Sequence, residues 1–237
     1  MGDKQYFIKD DYRPNLVQAT YDATDYRFYW NEKRIKESSI YQYHVYENCR
    51  WLILKYGFEH ILDVGCGPAF KTKELIVPLV KAVTLIDQPS IAKIAKSVIP
   101  TARFVATNLE STETKLGKLF DLIICADVLE HIVDPDPCMQ MIRRHIQPSG
   151  IVVLSTVERD ILHGIHNCTP TNQMHVREWN RDEFSKYIKS HNFEILQHKL
   201  LPQGKISAMK FRVMQCVPHW MRKKELSSCQ MVVCRLA

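Results

Sequence analysis

A chain of 237 residues has room for one α/β domain with an added segment, or two small domains, and buries a core without covalent staples. Apolar residues at 46% and charged residues at 24% match a globular domain, and no apolar run reaches the roughly 18 residues that span a bilayer. A net charge of +6 is too mild to imply nucleic acid as partner, which is therefore the less expected class.

The opening residues Met1 to Tyr6 lack the charged-then-apolar plan of a secretion signal, and Tyr6 stands where a myristoylation signal needs Ser or Thr. The eight cysteines are scattered without a Cys-x-x-Cys pair, so reduced thiols and a cytoplasmic location are expected.

Residues 1–56 hold nine of the ten tyrosines, with Phe7, Phe28, Trp30 and Trp51, and are expected to form an aromatic-rich helical arm. Within it Asn31 to Tyr56 is periodic enough for one helix. Residues 57–237 form the main domain. Its expected strands are His60–Val64, Ala82–Asp87, Ala102–Ala106, Phe120–Ala126, Ile151–Ser155, Phe193–Lys199 and Met231–Leu236. Expected helices are Phe70–Val80, Ser90–Ser97, Asp134–Ile146 and Arg181–Ser190. Short apolar strands alternating with helices predict a mostly parallel sheet covered on both faces. A basic cluster at Lys205, Lys210, Arg212, Arg222, Lys223 and Lys224 either faces a phosphate-bearing substrate or is a solvated loop.

Asp63-Val64-Gly65-Cys66-Gly67 ends a strand and precedes a helix, the first βα turn of a nucleotide-binding sheet. Dinucleotide binding asks for a third glycine at position 70, where this chain has Phe70. Asp87 ends the next strand, where an acid accepts from both ribose hydroxyls of an adenosine. With Asp63, the site is negative, which favours S-adenosylmethionine over NAD. A nicotinamide oxidoreductase is disfavoured by Phe70, and a non-catalytic module by the intact Asp63, Gly65, Gly67 and Asp87.

Ile61 to Gly67, Leu85-Ile86-Asp87, Phe120 to His131 and Ile146 to Ile151 resemble four motifs of the class I S-adenosylmethionine-dependent methyltransferases, over about residues 58–200. The resemblance implies a Rossmann-like seven-stranded sheet, its last strand antiparallel. It also implies that Asp63, Gly65, Cys66 and Gly67 line the methionine moiety and Asp87 the ribose. Gln88, Asn108 and Leu109 would flank the adenine, and Ala126 and Asp127 would hold the cofactor from the fourth strand.

Methyl transfer to a hydroxyl needs alignment and a base. On a helical turn Asp127, Glu130 and His131 share one face, and a second cluster follows at His175 to Phe184. Together they are similar to the small-RNA 3′-terminal 2′-O-methyltransferases and, more loosely, to ubiquinone-pathway O-methyltransferases. That similarity implies a divalent Mg, Mn or Fe ion on Asp127, Glu130, His131 and His175; without metal, His131 or His175 is the base. Residues 155–179 are expected to be a substrate-facing insertion. Glu158-Arg159-Asp160 followed by His175-x-Arg177-Glu178-Trp179 resembles glycan-assembly methyltransferases, which implies acceptor roles for Glu158, Arg159, Asp160 and Arg177. The expected activity is O-methylation of a glycan or carbohydrate hydroxyl, with glycosyltransferases of the same pathway as partners. The alternative is a small-molecule or RNA-terminal acceptor.

Overall fold

The computed structural model describes residues 6–16, 30–111 and 114–237. Met1 to Gln5 and Phe28, with the tyrosines at 21, 26 and 29, lie outside the described residues.

In chain order the elements are α1 (Glu32–Glu37), α2 (Tyr43–Tyr56), β1 (His60–Val64), α3 (Phe70–Leu75), β2 (Ala82–Asp87), α4 (Ala92–Val98), β3 (Arg103–Ala106) and β4 (Phe120–Ala126). Then follow α5 (Asp136–His145), β5 (Ile146–Val157), α6 (Arg159–His163), α7 (Arg181–Ser190), β6 (Phe193–Leu201), α8 (Ala208–Gln215) and β7 (Cys229–Leu236). The sheet order is β3-β2-β1-β4-β5-β7-β6. The first five strands are parallel, and β7 runs antiparallel between β5 and β6. This is the Rossmann-like seven-stranded architecture that the motifs imply.

The central strands are apolar on both sides because helices cover both faces. One layer of core joins Leu62, Ile123, Ile142, Trp179 and Phe184, and the other joins Val45, Leu52, Ile61, Ile124 and Val153. The β1–β2–β4 register brings Val64, Ile86 and Cys125 level, so their carboxyl ends open on one edge, where open α/β sheets bind ligands.

Three departures from the sequence reading have local causes. The helix expected from Asn31 to Tyr56 is two helices, because Gln42 takes a left-handed φ of 58° between them. The segment after Phe70 is α-helical only to Leu75 and passes into a 3-10 turn at Val77–Leu79 containing Pro78, whose ring removes a helical donor. Strand β5 starts at Ile146 rather than Ile151. Its polar Gln147-Pro148-Ser149-Gly150 reads as a turn, yet Ile146 pairs with Phe120 across a bulge.

Residues 6–16 pack on the chain around residues 165–183. The Arg13 and Asn15 amides donate to the carbonyls of Cys168 and Val176, at 2.7 and 2.8 Å. The Glu178 amide donates to the Tyr12 hydroxyl at 2.9 Å, and Trp179 Nε1 donates to the Tyr6 carbonyl at 3.0 Å.

Candidate active site

At the carboxyl edge of the sheet lies a cavity of about 1290 Å³, ample for a nucleoside and an acceptor. The turn after β1 forms its floor. Gly65 and Cys66 donate their amides to the Ile86 carbonyl, which fastens the turn to the end of β2. Gly65 has a φ of +68° and Gly67 of +55°. A Cβ on Gly65 would strike a methyl of Val128. One on Gly67 would stand 2.7 Å from the Trp30 indole, which lies against the turn.

Asp87 Oδ2 accepts from the Gly67 amide and Oδ1 from the Gln88 amide, both at 2.7 Å. Burial pushes its carboxyl up to about 6. Asp63 is fully buried beneath the turn, where it accepts from Tyr46 at 3.0 Å and from Thr72, and burial pushes it too up to about 6. Gly65, Cys66, Gly67, Asp87, Gln88, Asn108, Leu109, Ala126 and Asp127 all line the cavity, whereas Asp63 supports the turn from behind. This edge of the cavity, with Phe70 opening α3 in place of a third glycine, fits a nucleoside with a sulfonium tail.

The opposite wall comes from β4, β5 and the chain after α6. Asp127 follows β4 with a φ of +62°. Leu129–His131 is a 3-10 turn rather than α-helix. Its Glu130 is fully buried; burial first, and then the Asp127 charge, push its carboxyl well above the usual range. Glu130 Oε1 accepts from Thr156 at 2.6 Å. The rings of His131 and His175 meet edge to face with centroids 4.7 Å apart. Burial, and next the neighbouring His175, lower His131 to about 4, so this imidazole is neutral at physiological pH.

His175 is clamped on both sides. Its Nδ1 lies 2.6 Å from Glu178 Oε1, and its Nε2 is 2.9 Å from the Asn172 side-chain nitrogen. Glu178 is almost wholly buried, and its other oxygen lies 3.2 Å from His163 Nε2. A carboxylate at Nδ1 fixes the proton there and leaves Nε2 as the acceptor lone pair, which Asn172 serves in this arrangement. His131, His163, Asn172, His175 and Glu178 all line the cavity.

The expected metal set does not assemble. Among the described residues no group of three or more His, Cys, Asp or Glu side chains is placed to hold a metal ion. Glu130 is turned to Thr156, both His175 nitrogens are engaged, and His131 Nδ1 meets the Met174 carbonyl at 2.8 Å.

Four residues expected at the acceptor are not on the cavity wall. Arg159 makes two hydrogen bonds to Glu183, at 2.7 and 3.0 Å, and one to Asp160 at 2.9 Å. Asp160 also accepts from Asn180, and Glu158 caps α6 through the Ile161 amide and takes the Arg181 amide. Arg177 donates to the carbonyls of Ile132 and Val133 and lies under the Tyr6 ring. These charges fasten the 155–179 segment to α7 and to residues 6–16.

Several cavity residues carry no signal in the sequence. Gln42 takes hydrogen bonds from Ser155 and Cys229 on its Oε1 and donates Nε2 to Asp127 at 3.2 Å, joining α2 to three strand ends. Lys71 donates to the carbonyls of Ser38 and Tyr41, both at 2.8 Å, and burial lowers it to about 8. Trp30 and Arg34 complete the rim from the arm. Only Glu178, three residues after His175, had a spacing from which the pairing was readable.

A model of the methyltransferase domain matches residues 40–198. Among curated proteins, the ubiquinone biosynthesis O-methyltransferase of Rickettsia typhi is 31% identical over 157 residues, 57% of each chain. The mitochondrial ubiquinone biosynthesis O-methyltransferase of Schizosaccharomyces pombe is 29% identical over 57% of this chain and 55% of its own. The chain spans about half the length of the curated relatives it matches. Among solved structures, the plantazolicin methyltransferase BamL superposes with a TM-score of 0.64 over 94% of both chains at 13% identity. The N-methyltransferase NodS of Bradyrhizobium japonicum, bound to S-adenosylhomocysteine, gives 0.59 over 81% of this chain and 85% of its own at 17% identity. With that match laid over the same sheet and glycine turn, the chain belongs to the methyltransferase domain family and has its S-adenosylmethionine-binding fold.

Proposed function

We propose that this protein is a small-molecule O-methyltransferase in which His175, held by Glu178, removes the proton from the acceptor hydroxyl. The observation that carries the reading is the buried Glu178–His175 pair at 2.6 Å on the wall of the cavity that the glycine turn floors. S-Adenosylmethionine, when bound, supplies an already activated methyl group. The acceptor hydroxyl takes the place of Asn172 at His175 Nε2. As the oxygen–carbon bond forms and the carbon–sulfur bond breaks, the proton passes to Nε2 and the imidazolium that results is stabilised by Glu178. S-Adenosylhomocysteine and the methyl ether leave. His131, neutral and in contact with His175, shields the base from water.

The curated relatives are named for O-methylation in ubiquinone biosynthesis, which favours a phenolic acceptor over a sugar. The glycan reading loses its ground because Glu158, Arg159, Asp160 and Arg177, the polar residues that suggested it, are spent on fastening the loop. Glycosyltransferase partners fall away with it. The test is incubation with labelled donor and parallel panels of catechols and phenols, oligosaccharides and short RNAs. Transfer to phenols, lost in His175→Gln, is the expected result; transfer confined to sugars or RNA would overturn the reading.

A further inference from the structure

The basic cluster between β6 and β7 lies off the cavity wall. Among the described residues that line the cavity, none is Lys205, Lys210, Arg212, Arg222, Lys223 or Lys224. The segment Gly204 to Leu226 carries those six cations against one acid, Glu225, and so holds nearly all of the net charge of +6. Lys205 is engaged with Glu74 and the Tyr43 ring, while Lys210, Arg212, Lys223 and Lys224 have no ion pair among the described residues.

Large apolar side chains stand out between these cations. Helix α8 seats Phe211 on the His44 ring, centroids 4.4 Å apart, and buries Met214. That face accounts for its attachment to the body. The other face presents Met209 and Val213, one turn apart, at 78% and 62% exposure. The next turn, His219–Met221, presents Trp220 at 75% and Met221 at 61%. Isolated exposed apolar residues are ordinary, but four together inside a cationic segment are not.

We propose that this segment is a docking surface for an anionic phospholipid bilayer, with Met209, Val213, Trp220 and Met221 entering the headgroup–acyl boundary and the cations meeting lipid phosphates. The charge is complementary to such a surface, and a tryptophan between apolar and cationic neighbours suits the interface. Nucleic acid shares the charge but gives no purchase to exposed Met and Val side chains, which separates the two polyanions. The segment is joined to the cavity rim. Gly204 pairs with Tyr41, the Lys205 amide donates to the Ile40 carbonyl, and Tyr41, Gln42 and Gln203 line the cavity. A bilayer held here lies beside the rim of the cavity, and this holds whatever the acceptor is.

The experiment is flotation of the full chain with phosphatidylcholine vesicles, with and without about 30 mol % phosphatidylserine, alongside titration with polyuridylate. Two variants are compared, Met209→Ser/Val213→Ser/Trp220→Ser and Arg222→Gln/Lys223→Gln/Lys224→Gln, both at exposed or half-exposed positions and checked by thermal melting and donor binding. Expected are binding only to the anionic vesicles, at least about tenfold weakening in each variant, and a blue shift of emission that Trp220→Phe removes. No vesicle binding, undiminished binding by the apolar variant, or tighter binding to polyuridylate than to vesicles would each overturn the proposal.

Discussion

Glu178 stands between two histidines, its Oε1 2.6 Å from His175 Nδ1 and its Oε2 3.2 Å from His163 Nε2. A carboxylate so placed selects one tautomer of His175 and stabilises the charge formed when that ring takes a proton. Glu178→Gln is therefore expected to lower kcat by about tenfold to a hundredfold, with donor affinity unchanged. Because the Glu178 side chain is 1% exposed and acts through His175, KM for the acceptor should move little. A rise in KM at constant kcat would show that Glu178 serves only to shape the pocket.

Donor binding should depend on pH through Asp87. Its carboxyl is raised to about 6 by burial, and with Asp87 proposed as the ribose acceptor only the ionised form would accept from both hydroxyls. The dissociation constant for S-adenosylmethionine is expected to rise as pH falls below about 6, approaching tenfold per unit. Stability moves the other way. A carboxyl whose folded pKa lies above its unfolded value binds protons more tightly when folded, so between about 6 and the 3.8 of an ordinary aspartate this site favours the folded state as pH falls. Calorimetry from pH 5 to 8 would show the trend, and Asp87→Asn should abolish it at the cost of affinity.

The turn glycines respond to two separate insults. Gly65→Ala introduces a Cβ into Val128 and forces a φ of +68° on a residue that resists it, together about 1–3 kcal/mol and loss of donor binding. Adding Val128→Ala relieves the collision but not the backbone strain. The double variant should regain part of its melting temperature and still bind donor poorly.

Arg159 separates scaffold from chemistry. Its side chain is 1% exposed and its partner Glu183 is 9% exposed, so removing the cation strands a buried carboxylate. Arg159→Met is expected to lower stability by about 3–5 kcal/mol in urea titration. Transfer by the folded fraction at low temperature should persist, whereas a catalytic role would abolish it.

Chelation tests the Asp127, Glu130, His131 and His175 group. With those side chains engaged as described, EDTA should leave the transfer rate unchanged. A loss restored by Mn²⁺ would show that the four rearrange around an ion.

What could be read from residue types was the sheet and the glycine turn. His60–Val64, Ala82–Asp87 and Phe120–Ala126 are strands at the expected bounds, because buried parallel strands are apolar throughout and end at polar or glycine residues. The glycine turn was legible because backbone geometry demanded that residue type. The acceptor wall was less so. Arg159 and Glu158 look like solvated loop charges in a sequence, and only the packing of α7 and Trp179 over them makes them interior. Gln42 has an unremarkable side chain in a periodic stretch, and nothing in its neighbours announces a left-handed backbone or contacts to Ser155 and Cys229. Likewise Val176 and Arg177 amides reach the Glu130 carbonyl across a separation that periodicity does not encode.

The contacts of residues 6–16 with the loop around 165–183 also govern the order of assembly. Tyr12 meets Glu178 across 166 positions and Tyr6 meets Trp179 across 173, among the longest closures in the chain. Contacts of such separation form late, after local strands and helices have shortened the path between them. During synthesis the early segment must wait, undocked, until the residues near 179 have emerged. The wall that carries His175 is thus expected to close only after the strands of the parallel half of the sheet have formed.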